Sequence, residues 1–333
     1  MFNNKTILIT GGTGSFGTAF VKYLLKNFKK IKRLIIFSRD ELKQYELSKV
    51  LNSTKYPCLR FFLGDIRDLQ RLKRAFEGVN YVVHAAALKQ VDTAEYNPFE
   101  FIKTNVIGSQ NIIDSALDSD VEKVIALSTD KAVSPINLYG ATKLCADKIF
   151  ISANQVKGKR RIKFSVVRYG NVMFSRGSVM PNFMERKKMN KKLLLTNKEM
   201  TRFNITLGDS IEMVDQCFRI MKGGEIFVPK LKSYRLVDLA KSIDNNFSLK
   251  ETGVRPGEKI HEEMISLNDS FNTFDLGSIY AIVDTSNATS YNFYKNFKKM
   301  KPGMAYNSFD NKPYLTIKEL RQLIKKNIPQ EIK

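Results

Sequence analysis

Three cysteines and two histidines leave little from which to build a disulfide framework or a zinc site. Cys58, Cys145 and Cys217 lie far apart without a Cys-x-x-Cys pair, and His84 and His261 are the only imidazoles. The expectation is a chain without a metal, folded in the reducing cytoplasm. Long apolar runs are missing as well, since none approaches the roughly 18 to 20 residues of a bilayer helix. The opening MFNNKTILITGG has too short an apolar stretch for a secretory h-region and reads as a buried strand that begins almost at once. Acidic residues are scarce, 33 against 55 Lys plus Arg, for a net charge of +22. Such a balance suits a nucleic-acid binder. The lysines, however, fall in helix-like patches (Lys26, Lys29, Lys30; Lys187, Lys188, Lys191, Lys192; Lys295, Lys298, Lys299) with no zinc finger, RRM signature or aromatic-interleaved basic stripe. Neither nucleic acid nor a membrane is expected as a partner. What remains, 333 residues with 43% hydrophobic and 26% charged, is an ordinary globular composition sufficient for one large domain or two modest ones.

The first 170 residues alternate short β-rich runs with amphipathic stretches. Strands are expected at 6–10 (TILIT), 33–37 (RLIIF), 59–63 (LRFFL), 81–84 (YVVH), 124–128 (VIALS) and 163–169 (KFSVVRY). Helices are expected at 16–27, 41–52, 68–76, 98–117 and 139–154. Apolar strands joined by crossover helices specify an α/β fold, a Rossmann-type doubly wound parallel sheet with ligands at the carboxyl ends of its strands. The rhythm breaks from 173 to 203, returns as a helix at 210–221 and a strand at 225–229, and breaks again. This predicts a nucleotide-binding domain from 1–172 and 205–235, and a smaller, sequence-discontinuous substrate lobe from 173–204 and 236–333.

Thr10-Gly11-Gly12-Thr13-Gly14-Ser15-Phe16-Gly17 joins the first strand to the first helix. Glycines at 11, 14 and 17 permit a tight turn, close approach to a pyrophosphate, and close packing of helix on sheet. The helix N-terminus offers free N–H groups to the phosphates. At the end of the second strand, Ser38 and Arg39 offer a hydroxyl and a guanidinium to a ribose 2′-phosphate, so NADP is expected. Asp40, one residue on, is the competing signal for NAD. Asp65 and Ile66 are placed to meet the adenine, and Ala85-Ala86-Ala87 are small enough for the cofactor to lie close.

Ser128-Thr129-Asp130-Lys131 ends the fifth strand, and Tyr139 and Lys143, four apart, share one helix face. A lysine ammonium near a phenol favours the phenolate and makes Tyr139 a usable base. This pair, with a hydroxyl residue upstream and the nucleotide loop at the start, resembles the extended short-chain dehydrogenase/reductase superfamily. The resemblance implies that Tyr139 takes a proton from a substrate hydroxyl, that Lys143 also holds the nicotinamide ribose, and that Thr129 supplies the upstream hydroxyl. Asp130 and Lys131 add an acid and a base. Sugar nucleotide 4,6-dehydratases need both: oxidation at C4 acidifies the C5 proton, a base removes it, water leaves from C6, and hydride returns to C6.

Retaining dehydratases carry Asp-Glu here, whereas Asp-Lys is similar to the inverting UDP-N-acetylglucosamine 4,6-dehydratases of the pseudaminic acid type. The similarity runs through FSRDELKQ (37–44), HAAALKQV (84–91), EYNPFE (95–100), LSTDKA (127–132), NLYGATKL (137–144), RYGNV (168–172), SRGSVMP (175–181), MTRF (200–203), GGEIFVPK (223–230) and RPGEKIHEEMIS (255–266). Where that family has Lys-His-Val-Pro, this chain has Lys89-Gln90-Val91-Asp92. The resemblance implies UDP-GlcNAc as substrate, a homo-oligomer, and Lys89, Asn171, Ser178, Val179, Met180, Arg202, Arg255 and Glu258 as substrate residues. The two guanidiniums suit a diphosphate and Glu258 suits ribose hydroxyls. Lys131, its pKa lowered by burial and by Lys143, is expected to remove the C5 proton while Asp130 protonates the departing hydroxyl. The alternatives are a UDP-hexose epimerase or reductase of the same superfamily, which needs neither Asp130 nor Lys131, and a non-catalytic dinucleotide sensor that binds RNA. His261 is expected to be a structural helix residue, and His84 to pack at a strand end.

Overall fold

The computed structural model describes residues 1–244 and 249–329. Its first part runs β1 (Thr6–Thr10), α1 (Ser15–Asn27), β2 (Arg33–Ser38), α2 (Glu41–Val50), β3 (Leu59–Leu63), α3 (Leu69–Ala75) and β4 (Tyr81–His84). Then come α4 (Val91–Tyr96), α5 (Pro98–Phe101), a π-helical turn at Ile102–Ile107, α6 (Gly108–Leu117), β5 (Lys123–Thr129), a 3₁₀ turn at Asp130–Ala132, α7 (Leu138–Val156) and β6 (Lys163–Tyr169). The second part holds β7 (Asn171–Val172), α8 (Val179–Lys188), β8 (Leu193–Leu195), β9 (Thr201–Ile205), α9 (Leu207–Ile220), β10 (Glu225–Pro229), β11 (Ser233–Arg235) and α10 (Leu236–Ile243). It closes with β12 (Leu249–Glu251), β13 (Glu263–Ile265), β14 (Thr273–Asp275), β15 (Ile279–Val283), α11 (Ala288–Tyr294), β16 (Lys298–Lys299), β17 (Tyr306–Asn307) and α12 (Ile317–Asn327).

The main sheet has the order β16-β14-β15-β10-β6-β5-β4-β1-β2-β3. From β3 to β10 every pairing is parallel. Alternation along each strand splits the core between the two faces. In β1, Ile7 and Ile9 pack with Phe20, Val21 and Leu24 of α1 and Val214 and Phe218 of α9. Leu8 points the other way, to Leu72 of α3, Ile112 and Ile113 of α6, and Phe150 of α7. Each such side chain, fully buried, contributes roughly 1.5–3 kcal/mol. Because β1 is flanked by β2 on one side and β4 on the other, chain order reverses at β1, and a crevice opens at the carboxyl ends of β1 and β4.

The expected six strands form where the apolar runs place them. The expected helix 98–117 is not continuous: Ile102–Ile107 widens to a π turn between α5 and α6. The lobe assignment needs correction as well. Residues 273–299 do not join the second lobe, because β15 (IYAIV) is apolar on both faces and pairs antiparallel with β10, and β14 and β16 follow it. A separate small core does exist, made by Met173, Met180, Phe183, Leu193, Leu195, Tyr234, Leu239 and Leu320. In the little sheet β11-β9-β7, β9 crosses the boundary drawn from the sequence at 204, and β7 and β11 end at those at 172 and 235. Of the residues assigned to the lobe, 245–248 and 330–333 lie outside the described ones. No described helix is long and apolar enough to cross a membrane. His84 closes β4 in the core, whereas His261 is in no helix: it bridges to Thr201 and its ring lies 4.6 Å from that of Phe309.

Candidate active site

The glycine loop has the geometry that its spacing requires. Gly11 sits at φ +64°, and a Cβ there would lie 2.9 Å from the Ala86 nitrogen, so β1 and the Ala85–Ala87 segment approach as only glycine permits. A Cβ on Gly17 would lie 2.5 Å from the Gly11 oxygen, which fixes the packing of α1 on the loop. Gly14 is the N-cap of α1, with no side-chain cap and no acidic residue in the first turn. Backbone N–H groups at Ser15 and Phe16 therefore lack the usual side-chain competitor for an anion. Thr13 is buried beneath the turn. The small segment after β4 is held by Thr10, whose hydroxyl accepts from Ala85 and Ala86 at 3.2 and 3.3 Å and contacts His84 Nδ1 at 2.8 Å. Burial pushes the His84 imidazole down to about 3, so it is neutral.

At the end of β2 the acid stands at a helix start. Asp40 is the N-cap of α2, accepting from the Lys43 nitrogen at 3.0 Å and pairing with the Lys43 ammonium. Arg39 is exposed, 3.9 Å from Asp65, while Ser38 Oγ is buried and accepts from Gln44. Asp65 is held mainly by Arg67, at 2.7 Å, and Ile66 is buried against Gly108.

The expected catalytic residues gather where β5 ends and α7 begins. Gly140 is what lets the two meet: a Cβ there would lie 2.2 Å from the Lys131 oxygen. Asn137 caps α7 through the Gly140 nitrogen at 2.7 Å and donates to the Gly257 oxygen at 2.7 Å, tying the 255–258 loop to the same helix. Thr129 donates to Asp130 Oδ1 at 2.9 Å. The Lys131 ammonium is 3.1 Å from Asp130 Oδ1 and 3.0 Å from Glu262 Oε1. Asp130 and Glu262 are each 1% exposed.

This arrangement overturns the expected charge state of Lys131. Burial does press its pKa down, but Asp130 and then Glu262 outweigh it, and the amine is held above its ordinary value, with Lys143 absent from the balance. Asp130 moves up, first through burial and then through Glu262. The expected role of Lys143 is corrected too. It is buried, donates to the Leu127 oxygen at 2.8 Å, and has its pKa lowered by burial. The cation that favours the Tyr139 phenolate is Lys131, and burial still pushes the phenol up to about 12.

Around this centre, Lys89 donates to the Arg176 oxygen at 2.7 Å. Ser178 is the N-cap of α8, without a side-chain cap bond, and Val179 and Met180 follow it into the small core. Arg202 is buried, and its guanidinium is given to the carbonyls of Thr201, Lys259 and Ile260, 3.7 Å from both Glu258 and Glu262. Arg255 is exposed and pairs with Glu258 at 3.1 Å and Asp92 at 3.7 Å. Ten buried side-chain atoms lack a partner among the described residues, and four of them, Asp130 Oδ2, Asn171 Oδ1, Ser178 Oγ and Glu262 Oε2, belong to this neighbourhood. Glu262 is the residue that sequence reasoning missed. Its signal was its place in RPGEKIHEEMIS, a matching segment in which only Arg255 and Glu258 received roles.

Residues 7–284 match the family model described as "Polysaccharide biosynthesis protein". The chain is 49% identical over 332 residues to a UDP-N-acetylglucosamine 4,6-dehydratase (inverting) of Campylobacter jejuni, covering 97% of this chain and 98% of that one. It is 42% identical to a UDP-glucose 4-epimerase of Rickettsia typhi, covering 97% and 96%. Among solved structures, Pen from Bacillus thuringiensis superposes with a TM-score of 0.88 at 37% identity, covering 98% and 99%. With the glycine loop, the parallel sheet and Tyr139 and Lys143 on one helix, these likenesses run the length of the chain, which belongs to the polysaccharide biosynthesis protein family and has the fold of the short-chain dehydrogenases and reductases.

Proposed function

We propose that the protein is an NADP-dependent UDP-GlcNAc 4,6-dehydratase that inverts C5, giving UDP-2-acetamido-2,6-dideoxy-β-L-arabino-hexos-4-ulose. The observation that carries this reading is the Asp130–Lys131 pair, a buried carboxyl and an ammonium in contact at the strand end beside Tyr139. Elimination needs an acid and a base beyond the tyrosine that serves C4; passing the one proton of this pair from the Lys131 ammonium to the Asp130 carboxylate yields both, an amine base for the C5 proton and a carboxylic acid for the C6 hydroxyl. NADP, held by the Gly11–Gly17 loop with Ser38 and Arg39, would supply the acceptor for the C4 hydride and the donor to C6. The chain's own residues do the remaining work. Tyr139 receives the C4 hydroxyl proton, Thr129 hydrogen-bonds near it, Lys143 orients the nicotinamide ribose, and Asp130 with Lys131 handles the C5 proton and the C6 hydroxyl. The substrate diphosphate is assigned to the N-terminus of α8 at Ser178, Val179 and Met180 and to Arg255, with Lys89, Asn171 and Glu258 toward the sugar and ribose hydroxyls. Arg202 then acts from behind, fixing Glu258 and Glu262. The dinucleotide is assigned to 1–172 and 205–235, and the nucleotide sugar to 173–204 and 236–272 with 300–329.

Incubation with UDP-GlcNAc and no added cofactor tests the reading. The expected product has lost one water by mass, and its fresh NMR spectrum has the L-arabino configuration; D-xylo would assign the chain to the retaining class. Lys131→Ala should lose deuterium incorporation at C5 in heavy water. An epimerase, the activity named for the Rickettsia relative, would instead give a product of unchanged mass and tolerate loss of Asp130 and Lys131.

The cofactor choice has its own test. With Asp40 committed to capping α2, Ser38 and Arg39 are left to face the ribose. Arg39→Ala should weaken NADP by on the order of tenfold or more, as for loss of a hydrogen bond to a charged group, and leave NAD nearly unchanged in a calorimetric titration. Equal losses would make the arginine a structural partner of Asp65.

A further inference from the structure

Glu262 lies 131 positions from Lys131 in sequence, yet its carboxylate touches the Lys131 ammonium at 3.0 Å and is as buried as Asp130. Lys131 Nζ thus bridges two carboxylates, one from its own turn and one from the segment entering β13. One oxygen of each, Asp130 Oδ2 and Glu262 Oε2, is buried without a hydrogen-bond partner among the described residues. We propose that Glu262 is a positioning residue for Lys131: its carboxylate pins the amine against Asp130. Its use in elimination rests on the dehydratase reading; the anchoring itself does not.

The other charged and titratable groups around the amine are consistent with this role. Asp130 shares the turn, Tyr139 faces from α7, Tyr234 from β11 and Arg202 from β9, while Lys89 and Lys259 approach from the loops after β4 and before β13. The two lysines are tied elsewhere, to the carbonyls of Arg176 and Val133. Arg202 is 3.7 Å from Glu262 and keeps that carboxylate ionised together with Lys131. Of the anions, only Asp130 and Glu262 are in contact with Lys131 among the described residues. Removing the charge of Glu262 removes an opposite charge at hydrogen-bond distance, so the Lys131 pKa falls, and any kinetic limb that reports Lys131 moves to lower pH.

The test uses the full chain labelled with [6-¹³C]lysine, the Lys131 resonance being identified by its loss in Lys131→Arg. In the wild type this resonance should not titrate through about pH 10.4, the ordinary lysine midpoint. In Glu262→Gln it should titrate at least about one unit lower than in the wild type, and in Glu262→Asp, which keeps the charge on a shorter arm, in between. Titration at the wild-type pH in a folded Glu262→Gln overturns the proposal; if that variant does not fold, an unshifted Glu262→Asp does the same. Kinetics with UDP-GlcNAc supply the second readout. In Glu262→Gln, kcat for water loss should fall on the order of 10²-fold with KM nearly constant, C4 oxidation should persist, and Glu262→Asp should partly restore the rate. Equal loss of oxidation and elimination would mark a merely structural glutamate. A wild-type protein that shows the expected resonances but makes no product would overturn the dehydratase reading and leave the anchoring standing.

Discussion

Tyr139→Phe is expected to reduce C4 oxidation by a factor on the order of 10²–10⁴, the contribution of a positioned base, while folding and UDP-GlcNAc binding stay nearly intact. The ring is already part of a packed cluster with Ala94 and Phe101, and phenylalanine keeps that packing. What is lost is the hydroxyl, whose interactions are with Thr129 and, through space, Lys131. Single-turnover formation of reduced nicotinamide, followed by near-ultraviolet absorbance, reads the step directly; an unchanged rate would remove Tyr139 from the chemistry. The pH dependence has a definite sign. Burial pushes the phenol up to about 12, so it carries its proton at neutral pH. The oxidation rate should therefore rise with pH across the neutral range instead of reaching a plateau there.

Gly140→Ala is the second large effect, and it arises from the backbone. The added methyl would lie 2.2 Å from the Lys131 oxygen and 3.1 Å from Pro135 Cβ, and neither is the end of a flexible side chain. Either α7 or the 130–132 turn must move. Overpacking of this kind costs about 1–3 kcal/mol, and a displacement near 1 Å of a group that must meet a reacting atom costs on the order of 10²-fold in rate. Both a lowered melting temperature and a loss of dehydratase turnover are expected. Cys145→Ala, exposed on the same helix, should show neither change. Wild-type turnover in Gly140→Ala would mean that the turn can yield without disturbing Lys131.

The parallel half of the sheet was legible because TILIT, RLIIF and YVVH are buried on nearly every residue and are spaced by crossover helices, a pattern with few competing folds. β15 escaped because it follows irregular chain and pairs antiparallel, so no crossover helix announces it. Asp40 was ambiguous in sequence since an acid after β2 serves a ribose and a helix cap equally well; the structure shows the cap, through the bond from the Lys43 nitrogen. Types and spacing brought Asp130, Lys131 and Tyr139 together, but not the charge on Lys131. That charge depends on Glu262, whose approach is set by the path of the chain through β9 and into β13. Arg202 illustrates the same limit: a guanidinium that looks available in sequence is spent on three backbone carbonyls.

The π turn at Ile102–Ile107 acts as a phase adjuster. One residue more than a regular helical turn holds rotates everything beyond it by about 100°. On one side of the insertion Phe101 faces the Tyr139 cluster; on the other, Ile112 and Ile113 face the main core. Within it, Asn105 is turned inward, accepting from the Leu88 nitrogen and donating to the Leu88 oxygen, both at 2.9 Å, and to Thr142 Oγ1 at 3.1 Å. One side chain thereby ties the segment that carries Ala87 and Lys89 to the helix that carries Tyr139 and Lys143. A continuous α-helix through the same stretch would keep one of these faces in register and swing the other away, so the segment after β4 and the tyrosine helix owe their spacing to the extra residue in that turn.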